Sequence, residues 1–313
     1  MEKVKYNNRV IIAGEIASIF DDRTIGAGET WERFGYKMKI KVSDDESFDV
    51  KFDSNVYKYG TTEENPKFKG FETLFREAKT IEDDEIGDKV ICYCKVIDNS
   101  FYQKGELIEN IEYVVDVATR DKGKGKFNPS ALFEIYGRIE DIIDNEDKTV
   151  DVKLLVNDYA SSKSIKGHLI NMKITEQDII DGFKETFKVG DISLFEGYVK
   201  IIKTRVEIPP EQLEEVEIRG LGRRRKELEE ENERRKKLRE EGRFTYKVVL
   251  CIDGSDLPLS EDEIRECELP LLPQDCEDML IGIKETMEKS KERDMKNNPK
   301  SYMDEAADEE VPF

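Results

Sequence analysis

One stretch of this chain occurs twice. Ile12-Ala-Gly-Glu-Ile-Ala-Ser-Ile-Phe-Asp21 returns as Ile135-Tyr-Gly-Arg-Ile-Glu-Asp-Ile-Ile-Asp144, with Ile12, Gly14, Ile16, Ile19 and Asp21 matched by Ile135, Gly137, Ile139, Ile142 and Asp144. In both copies apolar residues alternate with polar ones around a glycine. That is the pattern of a half-buried strand that bends sharply or lets another backbone come close. A second pair follows the first: Gly87-Asp-Lys-Val-Ile-Cys-Tyr-Cys-Lys-Val-Ile97 and Gly190-Asp-Ile-Ser-Leu-Phe-Glu-Gly-Tyr-Val-Lys-Ile201 each open an apolar strand with a Gly-Asp turn. Two strand-rich domains built to one plan are expected.

The order of elements narrows the plan. After the first strand, 21–35 reads as a loop carrying Trp31, the single tryptophan. Tyr36-Lys-Met-Lys-Ile-Lys-Val42 puts Tyr36, Met38, Ile40 and Val42 on one face and Lys37, Lys39 and Lys41 on the other. Ser47-Phe-Asp-Val-Lys-Phe-Asp53 completes a hairpin. A polar loop, a short helix over 71–78, the Gly87 strand, a turn over 99–105 and a strand over 108–117 follow. Three strands, a helix and two strands is the order of the OB-fold, a five-stranded Greek-key barrel. Strands over 133–143, 150–156 and 165–174, a helix over 176–187 capped by Thr175, and a strand over 192–202 repeat it, with 246–252 as the last strand.

The expected class is therefore mainly β with α: two tandem OB-fold barrels over 1–119 and 130–254, joined by the basic linker 120–129. A charged helical insertion, 209–242, interrupts the second barrel. Its run 223–241 is a solvated arm in which Glu230 with Arg234, Glu231 with Arg235 and Glu233 with Lys237 are spaced for ion pairs. A helical segment, 255–296, opens on the capping box Ser260-Glu-Asp-Glu263 and carries Met279, Leu280, Ile283 and Met287 on one side, a stripe suited to packing on a barrel. A disordered acidic tail, 297–313, ends the sequence.

Composition removes several function classes. No apolar run is long enough to span a bilayer, and the first residues lack the apolar core of a secretion signal, so a cytoplasmic protein is expected. Five cysteines without a secretory signature argue against a disulfide framework, and Cys92 and Cys94 read as core residues. One histidine, His168, and no paired C-x-x-C leave no expectation of a metal or cofactor. Phosphate-binding P-loops and nucleophile elbows are missing, and the acidic clusters 44–46 and 83–85 read as turn surfaces. Enzymatic activity is not expected.

What the first barrel does offer is aromatics interleaved with lysines. Bases of a single strand stack on rings at about 1 to 3 kcal/mol each while cations follow the phosphates, and neither contribution needs a particular base. The ligand face of an OB-fold is built from strands two and three and the loops joining one to two and four to five. Those places hold Trp31, Arg33, Phe34, Lys37, Lys39, Lys41, Lys51, Phe101, Tyr102 and Lys104, with Tyr57, Tyr59, Lys67 and Lys69 near enough to extend a groove. The second barrel offers Arg138, Lys153, Lys163, Lys166 and His168 but few loop aromatics. The net charge of −20 does not oppose this, since more than half of it falls after residue 254.

The last six residues, Asp308, Glu309, Glu310, Val311, Pro312 and Phe313, resemble the acidic tip of bacterial single-stranded DNA-binding proteins. That resemblance implies a non-enzymatic protein that coats exposed strands in replication, recombination or repair. It also implies a tip that docks partner proteins through its phenyl ring and carboxylates. The chain departs from that family in having two apparent barrels and no long Gly/Pro/Gln-rich linker, so the family's tetramer is not carried over. The overall plan looks more like a phage-encoded type, which would work in the host cytoplasm. Two other readings stay open. The groove argument does not read the 2′-hydroxyl, which leaves RNA, and OB barrels also serve as interaction adaptors or phage structural components.

Overall fold

The computed structural model describes residues 8–58, 60–121, 123, 126–161, 164–206, 223–241 and 243–299. The elements run β1 (Asn8–Ile25), β2 (Arg33–Lys41), β3 (Ser47–Asn55), α1 (Pro66–Glu77), α2 (Ile81–Asp84), β4 (Lys89–Asp98), β5 (Phe101–Gln103), β6 (Glu106–Ile108) and β7 (Ile111–Arg120). They continue β8 (Ser130–Asp144), β9 (Val150–Ser161), β10 (Ser164–Ile174), α3 (Gln177–Thr186), β11 (Ile192–Val206), α4 (Arg223–Glu241), β12 (Arg243–Ser255), α5 (Glu261–Glu266) and α6 (Pro273–Asn297).

The repeated stretch makes β1 and β8, and its glycine does what the pattern suggested. A Cβ on Gly14 would overlap the Lys41 carbonyl oxygen, so only glycine lets β2 approach this closely. Just beyond it the β1–β2 register slips between Ile16 and Ser18, and the β8–β9 register slips at the matched place, between Ile139 and Asp141. A bulge at that point bends the strand and lets it serve two partners. Residues Val10 to Glu15 of β1 pair with β4, whereas Glu15 to Ile25 pair with β2.

The Gly-Asp turns lock the same bend in both copies. The Ile16 amide donates to the Asp88 carbonyl at 3.0 Å and the Ile139 amide to the Asp191 carbonyl at 2.9 Å. Asp88 and Asp191 each accept, through Oδ2, a backbone amide just upstream, from Lys79 at 2.9 Å and Lys188 at 3.0 Å.

With β1 bent, the strand order β1-β2-β3-β7-β4 closes back onto β1 as a five-stranded barrel. The β3–β7 seam is parallel, Val50 opposite Tyr113, and the remaining pairs are antiparallel, as in an OB-fold. A second set of pairings, β8-β9-β10-β12-β11 with β11 returning to β8, has its parallel seam between Met172 and Leu250. Strands β1 and β8 pair antiparallel from Asn8 with Ile135 to Ala13 with Ser130, joining all ten strands into one sheet. By contacts the chain divides into two units, Met1–Val199 with Leu250–Phe313, and Lys200–Val249. The second holds α4, along which Arg235 meets Glu231 at 3.0 Å and Lys226 meets Glu230 at 3.9 Å.

Inside the first barrel, Ile12, Ile16, Met38, Ile40, Val50 and Phe52 are fully buried. Helix α1 covers one side: Tyr36 stacks on Phe52 at 4.5 Å, Phe71 meets Phe52 edge-on at 4.9 Å, and the Tyr36 hydroxyl donates to the Phe71 carbonyl at 3.0 Å. Helix α3 brings Phe183 and Phe187 against Phe195 in the same way. All five cysteines are buried thiols outside any disulfide. Burial pushes the Cys92 and Cys94 thiols well above the ordinary range, which makes them packing residues.

Several expectations need correction. Helix α1 starts at Pro66, because the Asn65 side chain accepts the Lys67 amide at 3.0 Å and caps it there. The α3 cap position is Glu176, without a side-chain cap bond, so Thr175 does not cap it. The loop after β1 is only 26–32, since β1 runs on to Ile25. By contrast, the Ser260–Glu263 capping box is present as expected.

Two glycine substitutions separate close approach from mere flexibility. Gly14→Ala should destabilise the protein by about 2 kcal/mol or more through overpacking against backbone. Gly70→Ala, in α1 with open space around it, should stabilise it by about 0.5 to 1 kcal/mol. Urea unfolding of the two variants reads both signs.

Candidate nucleic-acid interface

Strand alternation gives the first barrel an outer face on β1, β2 and β3, and the register arranges it in rows. Phe20, Lys37 and Lys51 lie side by side, then Ser18, Lys39 and Asp49, then Glu15, Lys41 and Ser47. Beside the first row a pocket of about 350 Å³ opens, lined in part by Asp21, Asp22, Arg23, Lys37, Lys51 and Glu112.

The lysine row is not bare. Lys37 meets Asp21 at 3.6 Å, Lys41 meets Asp44 at 2.8 Å and Lys51 meets Glu112 at 2.7 Å. Arg33 grips Asp53 with two hydrogen bonds, at 3.2 and 2.8 Å. The Asp44 hydrogen bond and charge raise the Lys41 ammonium pKa, and the same contact lowers that of Asp44. Lys39 lies over the Phe20 ring at 5.9 Å from its centre. The exposed pairs Lys37–Asp21 and Lys41–Asp44 hold weakly, so a phosphate can replace either carboxylate at little cost. Lys51 and Glu112 are mostly buried and more firmly joined, and the face starts charge-balanced.

Trp31 is 59% exposed in the loop 26–32. Its ring lies against Gly26, whose φ of +68° closes the turn and where a Cβ would overlap the indole. The Gly28 amide donates to Glu32 at 2.8 Å and stiffens the same loop.

Other predicted residues are not brought to this face. Phe34 turns towards α1 and packs edge-on against Phe68 at 5.7 Å and Phe75 at 5.5 Å, so it belongs to the helix cluster, half-buried there. Lys67 and Lys69 sit on α1, not in a loop. Lys67 turns to Asp116 of β7 at 3.4 Å and Lys69 to Glu64 at 3.8 Å. Tyr57 is half-buried in a bridge with Glu64. Tyr59, Lys163 and the segment Asp308, Glu309, Glu310, Val311, Pro312 and Phe313 lie outside the described residues.

The turn holding Phe101, Tyr102 and Lys104 is the hairpin β5–β6, closed by Lys104 and Gly105 with φ of 54° and 87°. Helix α6 holds this hairpin. The Tyr102 amide donates to Ser290 Oγ at 3.0 Å, the Gly105 amide to Asp294 Oδ2 at 2.8 Å, and Lys291 lies 5.7 Å from the Tyr102 ring centre. Phe101 stays 39% exposed.

Phe20 and Arg23 belong to the face and were missed by sequence reasoning. The bulge after Ile16 shifts the alternation by one, which no count of apolar spacing reveals. A signal existed in the repeat, where Ile143 takes the register position of Phe20 and is 50% exposed.

Among the described residues no three His, Cys, Asp or Glu side chains converge as a metal site, and no helix is long and apolar enough to cross a membrane. What the face can do is bind: rings for planar groups, exchangeable cations for anionic ones.

A family model described as YorF matches residues 7–239, and the chain belongs to that family. No curated protein matches. Among solved structures the chain is similar to the wild-type single-stranded DNA binding protein from Thermus aquaticus, at 10% identity and a TM-score of 0.45 over 81% of this chain and 93% of that one. A deletion mutant of the same protein gives 11% and 0.42, over 81% and 95%. A TM-score below 0.5 does not establish a common fold, so the barrel rests on its strand pairings.

Replacing Gly26 with alanine should push the indole off its seat. The positive φ makes that residue strained by about 1 kcal/mol or more. The expected readout is a red-shifted Trp31 emission with easier acrylamide quenching, and an unchanged spectrum would mean that the indole does not rest there.

Proposed function

We propose that the chain is a non-enzymatic single-stranded DNA-binding protein made of tandem OB-type barrels, with the strand lying across β1, β2 and β3 of the first. The observation that carries this is the register of that face. It sets Phe20 beside Lys37 and Lys51 and beneath Lys39, with Arg23 further along β1 and the exposed Trp31 on the loop that follows it. Rings supply most of the affinity and the paired cations exchange their carboxylates for phosphates. The protein coats strands exposed in replication, recombination or repair, and the acidic segment 304–313 recruits partner proteins to them. The same segment folds back on the cations when no strand is bound, and DNA displaces it. The setting that fits is a phage-encoded protein in the host cytoplasm.

Titrating Trp31 fluorescence with oligo-dT and with duplex of equal length tests the reading. Oligo-dT should change the emission in a saturable way and duplex should not; no response to either would sink it. Competition between poly-dT and poly-U separates DNA from RNA, and preference for poly-U would move the assignment to an RNA-binding protein.

Charge balance has its own consequence for salt dependence. Four unpaired lysines would give a slope of log K against log salt of about −3, from roughly 0.7 per phosphate on a single strand. The paired face should give a shallower slope. Glu112→Gln, which frees Lys51, should tighten binding and steepen the slope. Deleting 304–313 should tighten it most at low salt, where screening is weakest.

A further inference from the structure

The pairings equate the two sets of strands residue by residue. Ile16 lies opposite Ile40 as Ile139 lies opposite Leu154, and Val50 with Tyr113 corresponds to Met172 with Leu250. Carried along β2, β3, β9 and β10, this register makes Lys39 equivalent to Lys153, Lys41 to Leu155 and Ser47 to Leu169. The outer face that carries lysine and serine on the first barrel thus carries leucines on the second.

Helix α6 covers those leucines. Leu155 is fully buried in a cluster with Cys276 and Met279 of α6, and Ile165, Leu169, Leu280 and Ile283 pack against it. Gly167 of β10 is where the helix comes closest, since a Cβ there would overlap the Met279 sulfur. The helix is 25 residues long, about 37 Å at 1.5 Å per residue. Its far end reaches the β5–β6 hairpin of the first barrel through Ser290 and Asp294. Asp294 is only 6% exposed.

We infer that each chain has one seat for a single strand, not two: α6 permanently fills the seat of the second barrel. This rests on the reading of the first barrel given above. The helix also fixes the hairpin beside the open seat, so one element closes one site and shapes the other. Strand binding then involves the first barrel alone, and the second serves as the base from which α6 is held.

Lys39 and Lys153 form a matched pair for the test. Each stands on the outer face beside the bulge, and no ion pair of either is described. Oligo-dT of about 12 nucleotides, within the 4 to 16 covered by one OB-fold, would be titrated into the full-length protein and its variants, with stoichiometry read by native mass spectrometry. One oligomer per chain is expected. Lys39→Glu should weaken binding about tenfold and Lys153→Glu less than about twofold, since charge reversal matters only where phosphates pass. Two oligomers per chain, or equal losses in variants with unchanged melting curves, would overturn the single seat while leaving the first barrel's role intact. Absence of any oligo-dT binding by the unaltered protein would overturn that role, and the inference with it.

Discussion

The close approach of β1 to β2 at Gly14 is the constraint on which the first barrel depends. A strand can belong to both edges of a curling sheet only if it bends, and here the bend combines a missing Cβ with a bulge one turn of the pleat later. The Gly87–Asp88 turn then takes the Ile16 amide that the bulge leaves without a ladder partner. A buried amide left unpaired would cost about 1 to 3 kcal/mol, so the turn and the bulge stabilise each other. The bulge and the Gly-Asp turn recur around Ile139 and Asp191, while the approach at Gly137 is looser, with nothing nearer than 3.2 Å to the place of a Cβ.

From that common frame the two halves diverge through a few outward side chains. Buried positions hardly change in kind, with Ile40 answered by Leu154 and Val50 by Met172. Lys41 and Ser47 against Leu155 and Leu169 decide whether the outer face meets water or a helix. An apolar pair there gains by being covered at about 25 cal/mol per Å² of surface removed from water. A lysine in the same place would lose its hydration without a partner. One copy thereby keeps an open outer face and the other is covered by α6, without alteration of the strand path.

Charge on the open face is paired rather than bare. Each of Lys37, Lys41 and Lys51 has a carboxylate within 4 Å, and Arg33 has a two-pronged partner in Asp53. Such a surface does not draw polyanions from a distance as a bare cationic row would. On the single-strand reading proposed above, selectivity comes from what rings hold, with Trp31 on its glycine seat and Phe20 beneath Lys39 as the groups that would do so.

Sequence alone determined the longer strands, their order and the duplication, but read the short strands β5 and β6 as a turn. Alternation of period two and a repeated Gly-Asp turn are local properties, legible wherever Ile, Val and Phe must face inward. The inward places of Tyr36 and Phe48 and the core role of Cys92 followed from the same alternation. The outward reach of Phe20, the withdrawal of Phe34 into the α1 cluster and the docking of the 101–108 hairpin on α6 did not. Each depends on a partner distant in sequence: Lys37 across a bulge, Phe68 and Phe75 on a helix, Ser290 and Asp294 almost two hundred residues on. Periodicity reports which side of a strand is apolar. Only the tertiary structure decides which neighbour comes to lie on that side, because burial and ion pairing are set by the packing of elements that the local pattern does not encode.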